Sequence, residues 1–298
     1  MKFLQLLQII IKLFIMIISI AILNYILARS STSVYIILSY YEYSSPSVVE
    51  ALSKYYGFDV SPLQGALIFL VNLFSGNMGI SIFYSTPVSH IVFKALMKSL
   101  LIILPSTVFS TFLVFFLVIY TIKYMGTRRD RIVDYLIISL MAIPEVLLAI
   151  IFFLYLPSNI FSMIALLTLF QVTFVYVFMR RNMVHILSEA SDLVEYYLSL
   201  GFKGREIARE LIRMSLPLVY ISIAYSIATV VPVLVFVETV FNYPGIGYMM
   251  FTALEKSDYP LASGCFLILS IIAILSNTMS DLISSRYDWR QDIYETQR

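Results

Sequence analysis

Six long apolar stretches constrain the fold of this chain more than any other feature of its sequence. They cover residues 9–28, 99–122, 132–154, 160–179, 216–237 and 261–283. A helix that crosses a bilayer needs about 20 mostly apolar residues, and each stretch meets this requirement. Only 13% of the 298 residues are charged, too few to cover a water-facing surface. We therefore expect an all-α membrane protein with six transmembrane helices, and we exclude a soluble enzyme, a disordered chain and a nucleic-acid-binding protein.

Lysine and arginine residues are distributed unevenly between the predicted loops. They concentrate after the second stretch and after the fourth: Lys123, Arg128, Arg129, Arg131, Arg180, Arg181, Lys203, Arg205, Arg209 and Arg213. Residues 238–260, in contrast, contain a single basic residue, Lys256. Because short cytoplasmic loops are enriched in Lys and Arg, the pattern predicts that both termini are cytoplasmic. The first stretch lacks a signal-peptide cleavage site and is interpreted as a retained span, so we expect a multi-pass protein of the cell membrane.

The spans divide the chain into four regions. Residues 1–28 hold the first span, 29–95 form an extracytoplasmic segment, 96–290 hold the other five spans, and 291–298 form a cytoplasmic tail. In the extracytoplasmic segment, Ser61-Pro62 precedes apolar residues at helical spacing: Leu67, Leu70, Val71 and Phe74. We expect a short amphipathic helix that lies at the membrane interface or packs on the outer ends of the spans.

A second amphipathic helix is predicted over residues 187–201, between the fourth and fifth spans. Its apolar residues recur at intervals of three and four: Leu187, Ala190, Leu193, Val194, Tyr197 and Leu198. Gly201 stands where a glycine usually ends a helix, and Gly204 precedes a segment rich in charged residues. Two interpretations are open: a solvated linker between spans, or a helix that docks its apolar face in a groove of a partner protein.

Four blocks of the sequence carry a family resemblance. Residues 195–201 and Leu216-Pro217 are similar to a Glu-Ala-Ala…Gly…Leu-Pro loop, with Tyr196 and Tyr197 in place of the two alanines. The other blocks are 76–104, 281–290 and, most specifically, 237–247, Val-Glu-Thr-Val-Phe-Asn-Tyr-Pro-Gly-Ile-Gly, followed by Asp258-Tyr259-Pro260. Taken in their order along the chain, they resemble dipeptide/oligopeptide-type permeases of ABC importers.

The resemblance implies a type I ABC-importer permease fold with an outer segment between the first two spans. It also implies a translocation path for peptides or a similar small solute, which an external binding protein delivers. Expected partners are a second homologous permease, two ABC ATPase subunits and the lipid bilayer. The residues expected to couple the permease to an ATPase are Glu189, Asp192, Glu195, Tyr196, Tyr197, Gly201 and Gly204. Because no Gly-x-x-x-x-Gly-Lys-Ser/Thr motif is present, we expect no enzyme activity and no cofactor on this chain, with ATP and Mg²⁺ on partner subunits.

Two further groups of residues are candidates for function. Glu145 follows Pro144 inside the third stretch, where a charged residue is costly and should face a cavity, although a packing role is equally open. Pro232 interrupts the fifth stretch. A kink there is either a gating hinge or, as we prefer, a feature of helix packing. We assign these residues to the translocation path. An outer gate or binding-protein loop, as opposed to a plain tight connector, is expected from Glu238, Tyr243, Pro244, Gly245 and Gly247.

Other functional classes fit the sequence less well. A secondary transporter usually contains inverted repeats with broken helices, and no such repeat is apparent. A membrane-embedded enzyme needs paired acids, a histidine cluster or a serine–base pair at matching depth, so we assign no catalytic residue and no metal site. Within the ABC class, transport of oligosaccharides in place of peptides stays open, because the choice of solute rests mainly with the binding protein.

Overall fold

The computed structural model describes residues 3–30, 60–189 and 204–286, together with the single positions 47, 50, 54 and 199. The regular elements of these ranges are helices: α1 (Phe3–Ser30), α2 (Pro62–Phe74), α3 (Val88–Lys123), α4 (Arg128–Met141), α5 (Glu145–Tyr155), α6 (Ile160–Glu189), α7 (Gly204–Val240), α8 (Ile246–Glu255) and α9 (Tyr259–Arg286). Five of them, α1, α3, α6, α7 and α9, are long and apolar enough to cross a membrane. This confirms the predicted all-α membrane protein.

The third predicted span differs from a single crossing helix. Here α4 and α5 are bent by 91° about a short break, so the pair counts as a sixth span only if the two helices are taken together. The break lies at Pro144, which precedes α5 and has φ −56° and ψ 132°. Proline lacks a backbone N–H and disfavours helical geometry in the residue before it, here Ile143. The span expected over 132–154 is therefore present as a broken pair of helices, with the break at the proline inside the stretch.

The helix that holds the fifth predicted span is longer than expected. Helix α7 runs over 37 residues and joins the charged segment after Gly204 to the apolar stretch without a break. Pro217 and Pro232 both lie inside it, and the helix runs through both positions. Membrane helices tolerate proline because neighbouring groups or local backbone adjustments satisfy the freed carbonyl.

The described residues belong to two compact units, and α1, α3, α7 and α9 each contribute a segment to both. The first unit contains residues Ile103–Val230 and the chain after Leu275. Its core is an apolar cluster from α3, α6 and α7, in which Val114, Val175 and Leu218 are buried. A polar layer accompanies it, where Gln171 Nε2 donates to Thr107 Oγ1 at 3.0 Å.

The second unit contains residues Leu7–Ile102 and Val231–Ile274. Helix α2 begins where the sequence predicts, with Ser61 as its N-cap. It packs against α1 and α9 through a small core of Ala21, Tyr25, Phe69 and Leu267. This unit also contains the loop between α7 and α8, where the outer-gate residues were predicted.

Candidate functional site

The Glu238 carboxylate lies in the second unit near the end of α7 and is completely buried. Its Oε1 accepts a hydrogen bond from Ser99 Oγ at 2.5 Å. Its Oε2 accepts from the backbone N–H groups of Gly247 at 2.7 Å and Tyr248 at 3.2 Å. One side chain therefore connects three elements, α3, α7 and the first turn of α8.

These contacts complete the N-terminus of α8. A helix leaves its first N–H groups without intrahelical partners, and a capping side chain normally accepts from them. The N-cap position of α8 is Gly245, which has no side chain to do so. Ser99 Oγ accepts from the N–H of Ile246 at 2.8 Å, and Glu238 accepts from the next two. Residues distant in sequence thus supply the cap, and a carboxylate is also favoured by the helix dipole there.

Two glycines in this loop are required by space. A Cβ atom on Gly245 would lie 2.1 Å from Glu238 Oε1, and one on Gly247 would lie 2.6 Å from the backbone Cα of Val235. Neither glycine has a positive φ, so backbone conformation is not the constraint. The Pro-Gly-Ile-Gly motif therefore lets the start of α8 approach the end of α7 closely enough to bind the Glu238 carboxylate.

Tyr243 fastens the same loop to α3. Its hydroxyl donates to the carbonyl of Lys98 at 2.9 Å, and its backbone N–H donates to the carbonyl of Glu238 at 2.8 Å. Burial and the nearby negative charge of Glu238 raise the pKa of the Tyr243 phenol, which keeps it a donor. Pro244, beside it, is half-buried. The structure thus brings together all five residues of the predicted outer loop: Glu238, Tyr243, Pro244, Gly245 and Gly247.

A second buried carboxylate, Asp258, holds the loop before α3 against the start of α9. It accepts from the hydroxyl of Ser81 and from the N–H groups of Ile82 and Phe83, both at 3.2 Å. It also accepts from the N–H of Leu261 at 3.3 Å, in the first turn of α9. Sequence analysis placed Asp258 in a motif without giving it a role. An acidic residue just before a helix with proline in its first turn is the signal that identifies a cap.

Above Asp258 the surface carries two aromatic rings and one lysine, which we call the aromatic–lysine patch: Phe83, Tyr84 and Lys256. The Lys256 ammonium lies 3.5 Å from the centroid of the Phe83 ring, which is within cation–π range. The Phe83 and Tyr84 rings are edge to face at 4.9 Å. Phe83 is 54% exposed, and its backbone is held by Asp258. The patch is therefore an apolar and cationic surface on a loop that a buried carboxylate fixes in place. Sequence analysis did not identify this patch.

The structure describes all three predicted translocation-path residues: Pro144, Glu145 and Pro232. Pro144 is exposed at the break between α4 and α5, and Glu145 is the half-exposed first residue of α5. A carboxylate at a helix N-terminus is favoured by the dipole, which explains why an acidic residue is tolerated here. Pro144 and Glu145 belong to the first compact unit. Pro232 is exposed on α7 and belongs to the second unit.

In the first unit, Arg180 near the end of α6 binds two aspartates of α4. Its NH2 group lies 2.7 Å from Asp130 Oδ1, and its NH1 group contacts Asp134. Asp134 also accepts from the Tyr176 hydroxyl at 2.8 Å, and Asp130 accepts from the backbone N–H of Gly126 at 2.9 Å. Sequence analysis counted Arg180 only as a topology signal. Asp130 and Asp134 lie at i and i+4 on α4, where two negative charges repel each other unless a basic residue lies between them. This spacing was the available sequence signal for an ion pair with a basic side chain.

The segment predicted to couple the chain to an ATPase falls mostly outside the described residues. Glu189 is the last residue of α6, and Gly204 is the first residue of α7. Helix α6 thus extends well beyond the predicted end of the fourth span at residue 179. Five of the seven predicted residues lie outside the described ranges: Asp192, Glu195, Tyr196, Tyr197 and Gly201.

Comparison with known proteins matches residues 115–292 to the family described as binding-protein-dependent transport system inner membrane component. The chain is 24% identical over 255 residues to the metal-staphylopine import system permease protein CntB of Staphylococcus aureus strain NCTC 8325 / PS 47, covering 81% of each chain. It is 23% identical over 227 residues to the nickel import system permease protein NikB of Staphylococcus aureus strain USA300, covering 72% of this chain and 68% of the relative.

These matches confirm the resemblance to oligopeptide-type permeases and favour the ABC class over a secondary transporter. In such systems ATP is hydrolysed on separate subunits, and a binding protein is a further partner. This chain belongs to the family of binding-protein-dependent inner-membrane transport components and is a multi-pass permease subunit of an ABC importer.

Proposed function

We propose that this chain forms half of a translocation path, paired with a second homologous permease, and that it imports small peptides. Two ATPase subunits bind ATP and Mg²⁺ on the cytoplasmic side, and an external solute-binding protein delivers the cargo. Both termini are cytoplasmic in this proposal, which the concentration of Lys and Arg at the α3–α4 connection and after the fourth span supports. The resemblance to dipeptide/oligopeptide-type permeases supports the peptide cargo.

A second cargo class has its own support. Both relatives named above are described as import permeases for a metal, either nickel or a metal–staphylopine complex. Import of metal complexes is therefore the alternative to peptides. The test is to reconstitute the assembled importer in nanodiscs with its binding protein and to measure ATP hydrolysis with candidate solutes. Stimulation by peptides supports the proposal, whereas stimulation by nickel complexes alone replaces peptides with the second class.

For energy coupling, we propose that Glu189 to Gly204 docks in a cleft of an ATPase subunit. Both flanking helices support this arrangement. Helix α6 extends past the end of the fourth span to Glu189, and α7 is continuous from Gly204 into the fifth. Two helices that continue from the coupling segment into the membrane can transmit its motion as rigid bodies. Cysteines at Tyr196 or Tyr197 should then cross-link to an ATPase subunit in native membranes, and failure at both positions contradicts this assignment.

For recognition of the binding protein, we propose that the aromatic–lysine patch is a contact surface, that Asp258 is the buried brace beneath it, and that Glu238 braces the opposite end of α8. This assignment depends on one observation: the loop carboxylates are buried and fully engaged, so they serve as scaffold while Phe83, Tyr84 and Lys256 are presented to the outside. Aromatic residues are enriched among those that dominate binding energy at protein interfaces. The gate predicted at residues 238–247 is in this proposal a fixed support that positions the patch.

A further inference from the structure

Helix α2 is mostly apolar, with Gln64 in its first turn and Asn72 near its end as its polar side chains, and it is too short to cross a membrane. None of its 13 residues is charged, and a helix of this length extends about 20 Å, two-thirds of the roughly 30 Å hydrocarbon core. One face is buried on α1 and α9 through Gly65 and Phe69. The opposite face presents apolar side chains at helical spacing, each more than half exposed: Leu63, Leu67, Val71 and Phe74. An exposed apolar face of this kind marks a surface that contacts protein or lipid.

The contacts with α1 indicate the direction of α2 relative to the membrane. Near its middle, the Phe69 ring lies 5.6 Å from the Tyr25 ring, close to one end of the apolar stretch Leu7–Ile26. At its end, the Phe74 ring lies 6.3 Å from the Phe14 ring, near the middle of that stretch. Tyr25 and Phe14 are about 16 Å apart along α1. Helix α2 therefore runs antiparallel to α1 and reaches deeper as it proceeds, unlike a helix that lies flat on the surface.

The turn after α2 is built so that few backbone polar groups are left unpaired. The N–H of Gly76 donates to the carbonyl of Leu73 at 3.0 Å, and the N–H of Asn77 donates to that of Asn72 at 2.9 Å. Gly76 has φ +78°, so these bonds form a Schellman motif. The hydroxyl of Ser75 donates to the Asn72 carbonyl as well, at 2.7 Å. Non-helical backbone at membrane depth requires such internal pairing, because lipid offers no hydrogen bonds.

We propose that α2 is a re-entrant helix that enters one leaflet, turns back near mid-depth, and is covered on its exposed face by lipid acyl chains. Phe14 is itself 52% exposed on α1, so the exposed faces of α1 and α2 form one continuous apolar surface. With the orientation proposed above, the leaflet is the outer one. The segment before α3 is then partly a membrane element and not entirely an extracytoplasmic region.

The test uses single nitroxide labels at Leu63→Cys, Leu67→Cys and Val71→Cys in the assembled importer in nanodiscs. Accessibility is measured to oxygen, which partitions into lipid, and to a water-soluble nickel chelate. Ile15→Cys is the matched lipid control on α1, and Glu255→Cys is the water control at the exposed end of α8. The unsubstituted chain reports background labelling, because its single Cys265 is buried.

We expect access to nickel to fall from Leu63 to Val71, reaching the level of Ile15, while access to oxygen rises. Equal nickel access at all three positions, at the level of Glu255, would overturn the proposal and place α2 on the water side. Low access to both reagents at Leu67 and Val71 would also overturn it, since protein would then cover this face. If a labelled variant does not assemble, the test uses the Leu67→Trp variant of a chain that also carries Trp289→Phe. Quenching of its tryptophan fluorescence by lipids brominated on their acyl chains would support the proposal, and no quenching would overturn it.

Discussion

Glu238 Oε2 accepts a hydrogen bond of 2.7 Å from the backbone N–H of Gly247, nine residues further along the chain. The bond closes the loop between α7 and α8 and caps a helix whose own N-cap is glycine. With the Ser99 hydroxyl on the other oxygen, the carboxylate fixes the end of α7 to α3 and to the start of α8. The loop is therefore a rigid support, and its stability should depend on this one side chain.

Replacing Glu238 should test that dependence directly. Glu238→Ala leaves the N–H groups of Gly247 and Tyr248 buried without an acceptor, at a cost of about 1–3 kcal/mol for each. Glu238→Gln keeps one acceptor oxygen and should lose less. We expect a lower thermal unfolding temperature of the assembled importer and weaker ATPase stimulation by the loaded binding protein. Glu255→Ala, at the exposed end of α8, is the matched control, and equal stability of both alanine variants would contradict the capping role.

The two loop glycines should respond differently when Glu238 is also removed. Gly245→Ala places its Cβ against the Glu238 carboxylate, so Glu238→Ala should relieve the clash. In a double-mutant cycle the combined loss of unfolding free energy should be smaller than the sum of the single losses. Gly247→Ala meets the backbone of Val235, which Glu238→Ala cannot move. Because its Cβ would lie 3.1 Å from Glu238 Oε2, its coupling to Glu238→Ala should be present but weaker than that of Gly245→Ala. Equal coupling for both glycines would contradict the geometry.

The residues that form this brace show how far sequence reasoning reaches. The spans and the start of α2 follow from hydropathy and a Ser-Pro signal, because both depend on neighbours in the chain. The family motif also located Glu238 and its glycines. The motif did not reveal the helix cap, because the Ser99 partner is 139 residues away and depends on tertiary packing.

The same limit explains the two main differences at α4 and α6. Pro144 locally indicates a disturbance, but the 91° bend between α4 and α5 depends on packing that the sequence does not encode locally. Arg180 was counted as a topology signal because its aspartate partners are 46 and 50 residues away. In both cases the residue was visible in the sequence. The packing around Pro144 and the aspartate partners of Arg180 were not.

Arg180 should contribute to stability through both aspartates. Arg180→Ala leaves Asp130, which is 4% exposed, without its guanidinium, and should cost about 2 kcal/mol of unfolding free energy. Arg180→Lys offers one ammonium in place of a planar fork and should recover only part of this. Arg181→Ala changes the neighbouring, exposed arginine and serves as the control. Thermal unfolding of the purified importer is the measurement, and similar values for Arg180→Ala and Arg181→Ala would refute the ion-pair role.

The aromatic–lysine patch should affect recognition without affecting stability. Tyr84→Ala and Lys256→Gln remove surface groups and leave the Asp258 brace in place, so the unfolding temperature should stay unchanged. The concentration of loaded binding protein needed for half-maximal ATPase stimulation should rise for both. Asp258→Asn is the contrasting variant, because it weakens the scaffold and should lower stability as well. Unchanged half-maximal concentrations in both patch variants would remove this surface from the docking site.

Glu145 tests the translocation path separately from these surface contacts. Its carboxylate lies at the N-terminus of α5, directly after the 91° break, and is half-exposed. If Glu145 faces the path, Glu145→Ala removes a polar group from it and should lower solute uptake into proteoliposomes while the amount of assembled importer is retained. Glu145→Asp keeps the charge at the helix N-terminus and should retain more uptake than Glu145→Gln. If all three variants transport at the wild-type rate, the carboxylate acts in local packing at the start of α5 and does not belong to the path.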